Sequence, residues 1–323
     1  MSATLSTIPP LPTPLPSTGP IAPVGLSTRI APPAEVEPYE LRSLSGIEDL
    51  DAEEMVVTAL AATPVDTVAR AAAEEGLVLC PLFPIGTEGT LGGLYSSGFE
   101  SPTAPTEGQL RDAVLGIEGW TGGGAPLRSG GRVVKNVTGY DLTRYLCGAR
   151  GTLGIVTRLH WRLRRAPVRF RELVGTLPIT RWTDLWTTLR RGPEPTASRL
   201  EWRDGTVTVR LLVEGDRAAA QATLERLETV QGIAFDRREV SATDLPRWLT
   251  LPRGASHQLR LGAPQLEQPS GVAFPAIGWQ SIERAAGEPA TEPPFRLGAM
   301  SERVRGEWDR LGLLWTGSGG LLR

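Results

Sequence analysis

The sequence has few of the residues that build metal sites and disulfide frameworks. Its 323 residues include two cysteines, Cys80 and Cys147, and two histidines, His160 and His257, with no CxxC or HxxH spacing. We therefore expect no zinc or iron site built from protein ligands. Because the two cysteines lie far apart in the sequence, we also expect two separate thiols rather than a disulfide.

Long apolar runs are missing too. No uninterrupted apolar stretch approaches the length of about 18 residues that a transmembrane helix needs. The N-terminus lacks the basic and apolar segments of a signal peptide. A net charge of −2 gives no general attraction to nucleic acid. These features predict a chain with no transmembrane segment and no nucleic-acid partner.

Lysine occurs once, at Lys135, and the rest of the 34 Lys and Arg residues are arginine. Lys135 lies in GRVVKNVTGYD, directly before a Gly-Tyr-Asp turn. A compact ammonium fits beside a ring edge or a carboxylate where the fork of an arginine needs more room, so a binding role is one interpretation. A strand lysine in solvent and a biased genome composition are the alternatives.

The pattern of residues predicts two structured regions behind a flexible arm. Residues 1–24 are rich in Pro, Ser and Thr, which is typical of a mobile segment. Deletion of residues 1–20 is expected to leave the melting temperature unchanged.

Residues 55–80 read as strand, helix and strand, with Thr63 as the expected N-cap and Val65, Val68 and Ala72 on the apolar face of the helix. The segment YDLTRYLCG reads as a short helix with Asp141 as its candidate N-cap. From about residue 168 the order becomes β-α-β-β-α-β, a ferredoxin-like unit, with a hairpin turn at Asp204-Gly205.

One strand, residues 155–165, alternates between apolar and polar side chains. Ile155, Leu159 and Trp161 are expected on one face. Arg158 and His160 are expected on the other face, in contact with solvent.

Glycine is abundant in three segments, GTEGTLGGLYSSG, GRVVKNVTGYDL and GARGTLGIVTR. Turns of this kind can present successive backbone N–H groups to an anion such as a pyrophosphate. None of the three has the spacing of a Rossmann fingerprint or of a P-loop. Taken singly, each segment is more often only a turn, but three of them in one stretch favour a site for an anion such as a pyrophosphate.

In order and spacing, these segments resemble the FAD-binding domain of the vanillyl-alcohol oxidase and p-cresol methylhydroxylase superfamily, and within it the FAD-binding subunits of bacterial glycolate oxidases. The resemblance covers roughly residues 40–262 and is strongest at residues 127–157. It implies an α+β fold, with a PCMH-type FAD-binding domain at 25–167, a ferredoxin-like substrate cap at 168–262 and a segment at 263–323 that returns to the FAD domain.

The resemblance also implies FAD as the cofactor and a small 2-hydroxy acid such as glycolate as the substrate. It implies a second flavoprotein subunit and an iron–sulfur subunit as partners, and a cytoplasmic location or peripheral attachment to the inner membrane through the complex. It identifies no general base. The residues that it assigns to cofactor binding are Gly25, Ser27, Thr28, Thr90, Leu91, Gly92, Gly93, Ser96, Ser97, Gly98, Lys135, Gly139, Tyr140, Asp141, Gly151, Thr152, Gly154 and Ile155.

The sequence departs from the family's pattern at the phosphate side of the site. Leu26 stands in the first phosphate loop where a glycine is usual, so its side chain is expected to block a phosphate or to force a strained φ. Glu88 puts a carboxylate in the second loop, where it would repel phosphates. The C-terminal motif is reduced to a weak counterpart around Asp309. These departures leave a second interpretation open, a non-catalytic relative that acts as an assembly or regulatory subunit.

The functional interpretation of Lys135 predicts that Lys135→Arg slows flavin reduction by a 2-hydroxy acid more than it lowers stability. The reason is that a cation near the ring edge stabilises negative charge on the reduced flavin, and the larger guanidinium would not fit there. Stopped-flow absorbance and thermal unfolding of both proteins measure the two effects. Reduction of the flavin at the wild-type rate would reject the binding role of Lys135 and leave biased composition as the explanation of the single lysine.

Overall fold

The structure is a computed structural model, and it describes residues 7–16, 19–28, 35–99, 101–132, 141–189 and 195–215. It also describes shorter pieces, namely 222, 225–227, 229, 233–241, 243–245 and 249, and the backbone of 258–259, 270–274 and 279–282. Lys135, Gly139 and Tyr140 lie outside these residues. The described part contains a short parallel strand pair and two larger antiparallel sheets.

The short pair joins β1 (Ile21–Val24) to β2 (Glu37–Glu40). The first large sheet has the strand order β3-β4-β8-β6-β7, and β5 pairs with the last residues of β8. Its strands are β3 (Ile47–Asp51), β4 (Val56–Leu60), β5 (Leu77–Leu79), β6 (Val114–Trp120), β7 (Pro126–Gly130) and β8 (Ile155–Arg165). The connections contain helices α1 (Val65–Glu74), α2 (Leu91–Ser97), α3 (Ala104–Glu107), α4 (Leu110–Ala113) and α5 (Leu142–Leu146).

Helix α1 packs its predicted apolar face, which includes Val65, Val68 and Ala72, into the core beneath this sheet. The prediction of Thr63 as its N-cap is wrong, because Pro64 takes that position without a side-chain cap. The Thr63 hydroxyl instead lies within hydrogen-bond distance of two carbonyls, that of Leu60 at 2.6 Å and that of Gly46 at 3.0 Å. Thr63 thus ties the end of β4 to the start of β3 rather than capping the helix.

Strand β8 lies between β4 and β6, and its side chains are buried on both faces from Ile155 to Trp161. The prediction that His160 is solvated is therefore wrong, since its exposed fraction is 8% and its Nδ1 lies 2.9 Å from the Thr58 hydroxyl. Burial, together with the positive charge of the nearby Arg158, lowers the pKa of His160 to about 4. His160 is consequently a neutral, packed side chain at neutral pH.

The same strand carries Arg158 into a buried ion-pair cluster. Its guanidinium pairs with the carboxylates of Glu48 and Glu118, and Arg128 reaches Glu118 at 3.1 Å. The expected shared face of Ile155 and Leu159 is also wrong. The pairing register shifts between Glu118 and Gly119, and Ile155 packs in a separate cluster from Leu159.

The second large sheet begins with the strand order β12-β9-β11-β10, and all its pairings are antiparallel. Its elements are β9 (Phe170–Pro178), α6 (Trp182–Leu189), β10 (Ala197–Arg203), β11 (Thr206–Glu214) and β12 (Phe235–Val240). Asp204 and Gly205 have φ values of 49° and 77°, which makes the predicted tight turn between β10 and β11. The described elements β9, α6, β10, β11 and β12 match the predicted strand-helix-strand-strand order and its last strand. The second predicted helix, within residues 216–232, falls largely outside the described residues. The α+β fold class is confirmed.

Three further strands extend this sheet beyond β10, namely β13 (Gln258–Leu259), β14 (Ser270–Phe274) and β15 (Trp279–Ile282). β14 pairs directly with β10. Between 263 and 323, the described backbone thus joins the second sheet. The remainder of the segment, including Asp309, lies outside the described residues, and its return to the first region stays a prediction.

The N-terminal segment contacts the first sheet. The Trp120 indole donates to the Pro9 carbonyl at 2.9 Å, and Arg158 donates to the Thr7 carbonyl at 3.2 Å. Leu11 and Leu15 pack against the cluster around Ile155. These contacts favour an ordered segment over residues 7–16, rather than the flexible arm that the composition predicts, and residues 21–24 belong to strand β1.

We therefore predict that deletion of residues 1–16 lowers the melting temperature, by about 3–6 °C, because it removes the Trp120 and Arg158 bonds and uncovers an apolar cluster. Deletion of residues 1–6 removes none of the contacts named above and serves as the control. Thermal unfolding followed by circular dichroism compares the two. Equal melting temperatures for both deletion variants and the full chain would contradict this prediction and support the flexible arm that the composition predicts.

Candidate functional site

A cleft lies where the loop after β1, the start of α2 and the turn between α5 and β8 meet. The structure brings nine of the residues predicted for the cofactor site to this cleft, although they come from three distant parts of the sequence. They are Gly25, Ser27, Thr28, Thr90, Gly92, Gly93, Ser96, Gly151 and Gly154.

Six other predicted residues do not line the cleft. Leu91, Thr152 and Ile155 are fully buried in the protein interior. Ser97 and Gly98 end α2 away from the cleft, and Asp141 is exposed. The side chain of Asp141 caps α5 by accepting the Arg144 N–H at 3.0 Å, so its contribution in the structure is to that helix.

The backbone at the start of α2 has few N–H groups left for a ligand. The N–H of Leu91 donates to the Thr63 carbonyl at 3.0 Å, and the N–H of Gly92 donates to the Ala61 carbonyl at 2.8 Å. The N–H of Gly93 donates to the hydroxyl of Thr90 at 3.0 Å. The Gly-rich sequence of α2 thus serves a close backbone approach rather than the presentation of free donors.

The loop after β1 has the opposite property. Across the described residues, no acceptor receives the backbone N–H groups of Gly25, Leu26, Ser27 and Thr28. Ser27 has a φ of 49°, a left-handed conformation that turns successive N–H groups toward one side. The positive φ falls on Ser27 rather than on Leu26, whose side chain is 43% exposed. The loop therefore keeps a set of donors despite its departure from the family pattern.

The turn before β8 faces this loop. Arg150 and Gly151 have φ values of 54° and 75°, and the Arg150 N–H donates to the Ser96 carbonyl at 2.7 Å. The N–H groups of Gly151 and Gly154 reach no acceptor within the described part of the chain. Arg150 also lines the cleft, and sequence reasoning missed it, because attention to the glycines left out the cation between them.

The cleft suits an anion on one side and an apolar group on the other. Of the described residues that line it, none carries a carboxylate, while Arg150 carries a guanidinium. Glu88 is exposed and is not among the lining residues, so the predicted repulsion of a phosphate is absent. Leu41 and Val156 belong to the apolar part of the wall.

The cleft's glycines hold its walls together at short distances. A Cβ on Gly92 would lie 2.8 Å from the Ala61 carbonyl oxygen, and one on Gly151 would lie 3.0 Å from Cδ of Pro23. Either contact would push the walls apart. Together, the donor-rich loops and the absence of carboxylates fit the diphosphate of a dinucleotide.

Residues 39–130 match the model of a protein family described as "FAD binding domain". The match runs from β2 to β7 and includes the start of α2, whereas the loop after β1 and the turn before β8 lie outside it. The chain thus carries an FAD-binding domain of the PCMH type, and its cofactor is FAD. The predicted class of flavoprotein is confirmed.

Among curated proteins, the chain is similar to glycolate oxidase subunit GlcE of Escherichia coli, with 38% identity over 42% of this chain and 39% of that protein. It is also similar to a D-2-hydroxyglutarate dehydrogenase of Xanthomonas citri, with 32% identity over 40% of this chain and 28% of that protein. For glycolate oxidase subunit GlcD of Bacillus subtilis, the identity is 33% over 36% of this chain and 25% of that protein. The matches thus span less than two fifths of each relative.

Solved structures show the same fold at low identity. An alkyldihydroxyacetonephosphate synthase superimposes with a TM-score of 0.54 and 14% identity over 71% of this chain and 48% of that chain. Xylooligosaccharide oxidase from Myceliophthora thermophila superimposes with a TM-score of 0.54 and 18% identity over 64% of this chain and 44% of that chain.

Other expectations concern absences. Neither Cys80 nor Cys147 takes part in a disulfide. In the searched, described residues, no cluster of three or more His, Cys, Asp and Glu is placed to hold a metal ion. Within the same residues, no helix has the length and apolar character to cross a membrane.

The packing of the walls predicts that Gly151→Ala destabilises the protein by about 1 kcal/mol more than Gly124→Ala. Both glycines have φ near +75°, so both variants suffer the same backbone strain. Only the methyl group at 151 meets another wall, Pro23, because nothing lies within 4 Å of a Cβ at Gly124. Urea unfolding measures the two free energies, and equal losses would contradict the packed cleft.

Proposed function

We propose that this chain is the FAD-binding subunit of a glycolate-oxidase-like enzyme that oxidises a small 2-hydroxy acid. The observation that carries the proposal is the cleft between two glycine-containing loops. On both sides of it lie N–H groups that reach no acceptor among the described residues, and no described lining residue carries a carboxylate. Such a site holds a dinucleotide diphosphate without a Rossmann fingerprint.

The loop at residues 25–28 and the turn at 150–154 hold the diphosphate in this proposal. The N–H groups of residues 25–28, Gly151 and Gly154 and the hydroxyls of Ser27 and Thr28 donate to its oxygens. The apolar wall at Leu41 and Val156 keeps water from the neighbouring part of the ligand. FAD, when bound, supplies the acceptor for the hydride that leaves the α-carbon of the substrate.

The substrate class rests on the chemistry that the relatives' names share. Glycolate, D-2-hydroxyglutarate and D-lactate all carry a hydroxyl group on the carbon next to a carboxylate. We assign the substrate cap to the second sheet, at residues 168–262, and the ring side of the cofactor to Gly139, Tyr140 and Lys135. Lys135 supplies a positive charge for the substrate carboxylate or for the reduced ring.

Partner subunits complete the proposal. A second flavoprotein subunit and an iron–sulfur subunit receive the electrons, in the cytoplasm or at the inner membrane through the complex. The chain spans well under half the length of the curated relatives that it matches, so these partners are inferred from the relatives rather than from a match over whole proteins.

A second candidate function follows from one observation. The N–H groups of Leu91, Gly92 and Gly93 are all bonded within the protein, which removes one of the expected phosphate-binding segments. A chain that binds FAD weakly for this reason would serve as an assembly or regulatory subunit of the same complex.

A visible spectrum separates the two functions. The full chain, copurified with its partners, is predicted to show flavin bands near about 375 and 450 nm, and glycolate, D-lactate or D-2-hydroxyglutarate is predicted to bleach the band at about 450 nm without air. The same spectrum of the isolated chain assigns the flavin to this subunit. Bands that no 2-hydroxy acid bleaches would reject the substrate class. A complex that keeps its partners but lacks the bands in this chain favours the assembly subunit.

A further inference from the structure

Arg150 occupies an unfavourable backbone conformation at the edge of the cleft. Its φ of 54° lies in the left-handed region, where a side chain strains the backbone and glycine is preferred. Gly151 follows with a φ of 75°, and the two residues reverse the chain before β8. Residues held in such conformations cluster at ligand sites, where the surrounding structure accepts the strain.

The surrounding structure fixes this turn from two sides. The Arg150 N–H donates to the Ser96 carbonyl at 2.7 Å, which binds the turn to α2. Gly151 lies so close to Pro23 that a Cβ would reach its ring at 3.0 Å. Arg150 is therefore positioned between the end of α2 and the loop after β1, and it lines the cleft together with both.

The charges and hydrogen-bond donors of the cleft indicate which kind of ligand the Arg150 guanidinium binds. Across from Arg150, the N–H groups of residues 25–28 have no acceptor among the described residues, and no described lining residue is acidic. A planar guanidinium donates two parallel hydrogen bonds to phosphate oxygens. A ligand with several adjacent anionic oxygens can accept from the arginine and from the loop at the same time.

We propose that Arg150 binds the diphosphate of the cofactor and makes the cleft selective for diphosphate-containing ligands over their uncharged nucleoside parts. This inference rests on the proposed function for the identity of the cofactor, but the diphosphate site stands on the cleft itself. The backbone strain at Arg150 is then the cost of keeping a cation at a position that glycine would fill without strain.

The test uses the full-length chain freed of bound flavin, and it titrates FAD, riboflavin, ADP and adenosine by calorimetry. Arg150→Gln is expected to weaken the binding of FAD and of ADP by about 10–100-fold, which is the usual effect of losing a charged hydrogen bond. The affinities for riboflavin and adenosine are expected to stay unchanged, because neither ligand has a phosphate. Arg70→Gln, at an exposed position on α1, is the matched control.

A second variant keeps the test independent of folding defects. Arg150→Gly relieves the strained φ, so it is expected to raise the melting temperature by about 1–3 °C. It is expected to weaken the binding of ADP as much as Arg150→Gln does. Arg150→Lys keeps the charge without the fork and is expected to restore part of the affinity.

Each contrary result has a distinct meaning. Wild-type affinity of Arg150→Gln for ADP, or an equal loss for ADP and adenosine, overturns the role of the arginine. Binding of ADP but not FAD by the wild-type chain, with the same dependence on Arg150, rejects the proposed function and keeps the diphosphate site. Absence of binding to either ligand rejects both.

Discussion

The close backbone approach between α2 and the end of β4 is the constraint on which the site depends. The Gly92 N–H donates to the Ala61 carbonyl at 2.8 Å, and the Ala61 N–H donates to the Thr157 carbonyl of β8 at 2.9 Å. A chain of backbone bonds thus runs from the central strand through Ala61 into α2. No side chain fits between Gly92 and Ala61, so only glycine allows it.

This constraint also separates the roles of the three segments that line the cleft. Because the N–H groups at the start of α2 are used within the protein, the donors that remain for a ligand come from the loop after β1 and the turn before β8. The family resemblance assigns all three segments to cofactor binding, since glycine has the same appearance in a sequence whether it makes room for backbone or for a ligand. Only the hydrogen-bond partners distinguish the two uses.

Local signals were sufficient for much of the fold. The apolar spacing of α1, the Asp204-Gly205 turn and the Asp141 cap each depend on residues close in sequence, and the structure has all three. The errors arose where distant parts of the chain meet. His160 is buried beside Thr58, a partner 102 residues away in the sequence, and no pattern within residues 155–165 could show that.

The site follows the same division. Nine predicted residues line the cleft because the resemblance carried information about distant contacts. Arg150 was missed, since its left-handed φ and its place beside Ser96 follow from the packing of the turn rather than from its neighbours. Its charge also explains how a cleft with Leu26 in its first loop can still suit a phosphate.

If FAD binds in this cleft, its phosphates meet the loop after β1 and the turn before β8. Hydrogen–deuterium exchange of the full chain with and without FAD tests this binding at the amides themselves. FAD is expected to slow exchange at residues 25–28, at Gly151 and at Gly154, with little change at Leu91–Gly93, whose N–H groups are already bonded. Protection at Leu91–Gly93 without protection at 25–28, or no change at any of these amides, would contradict it.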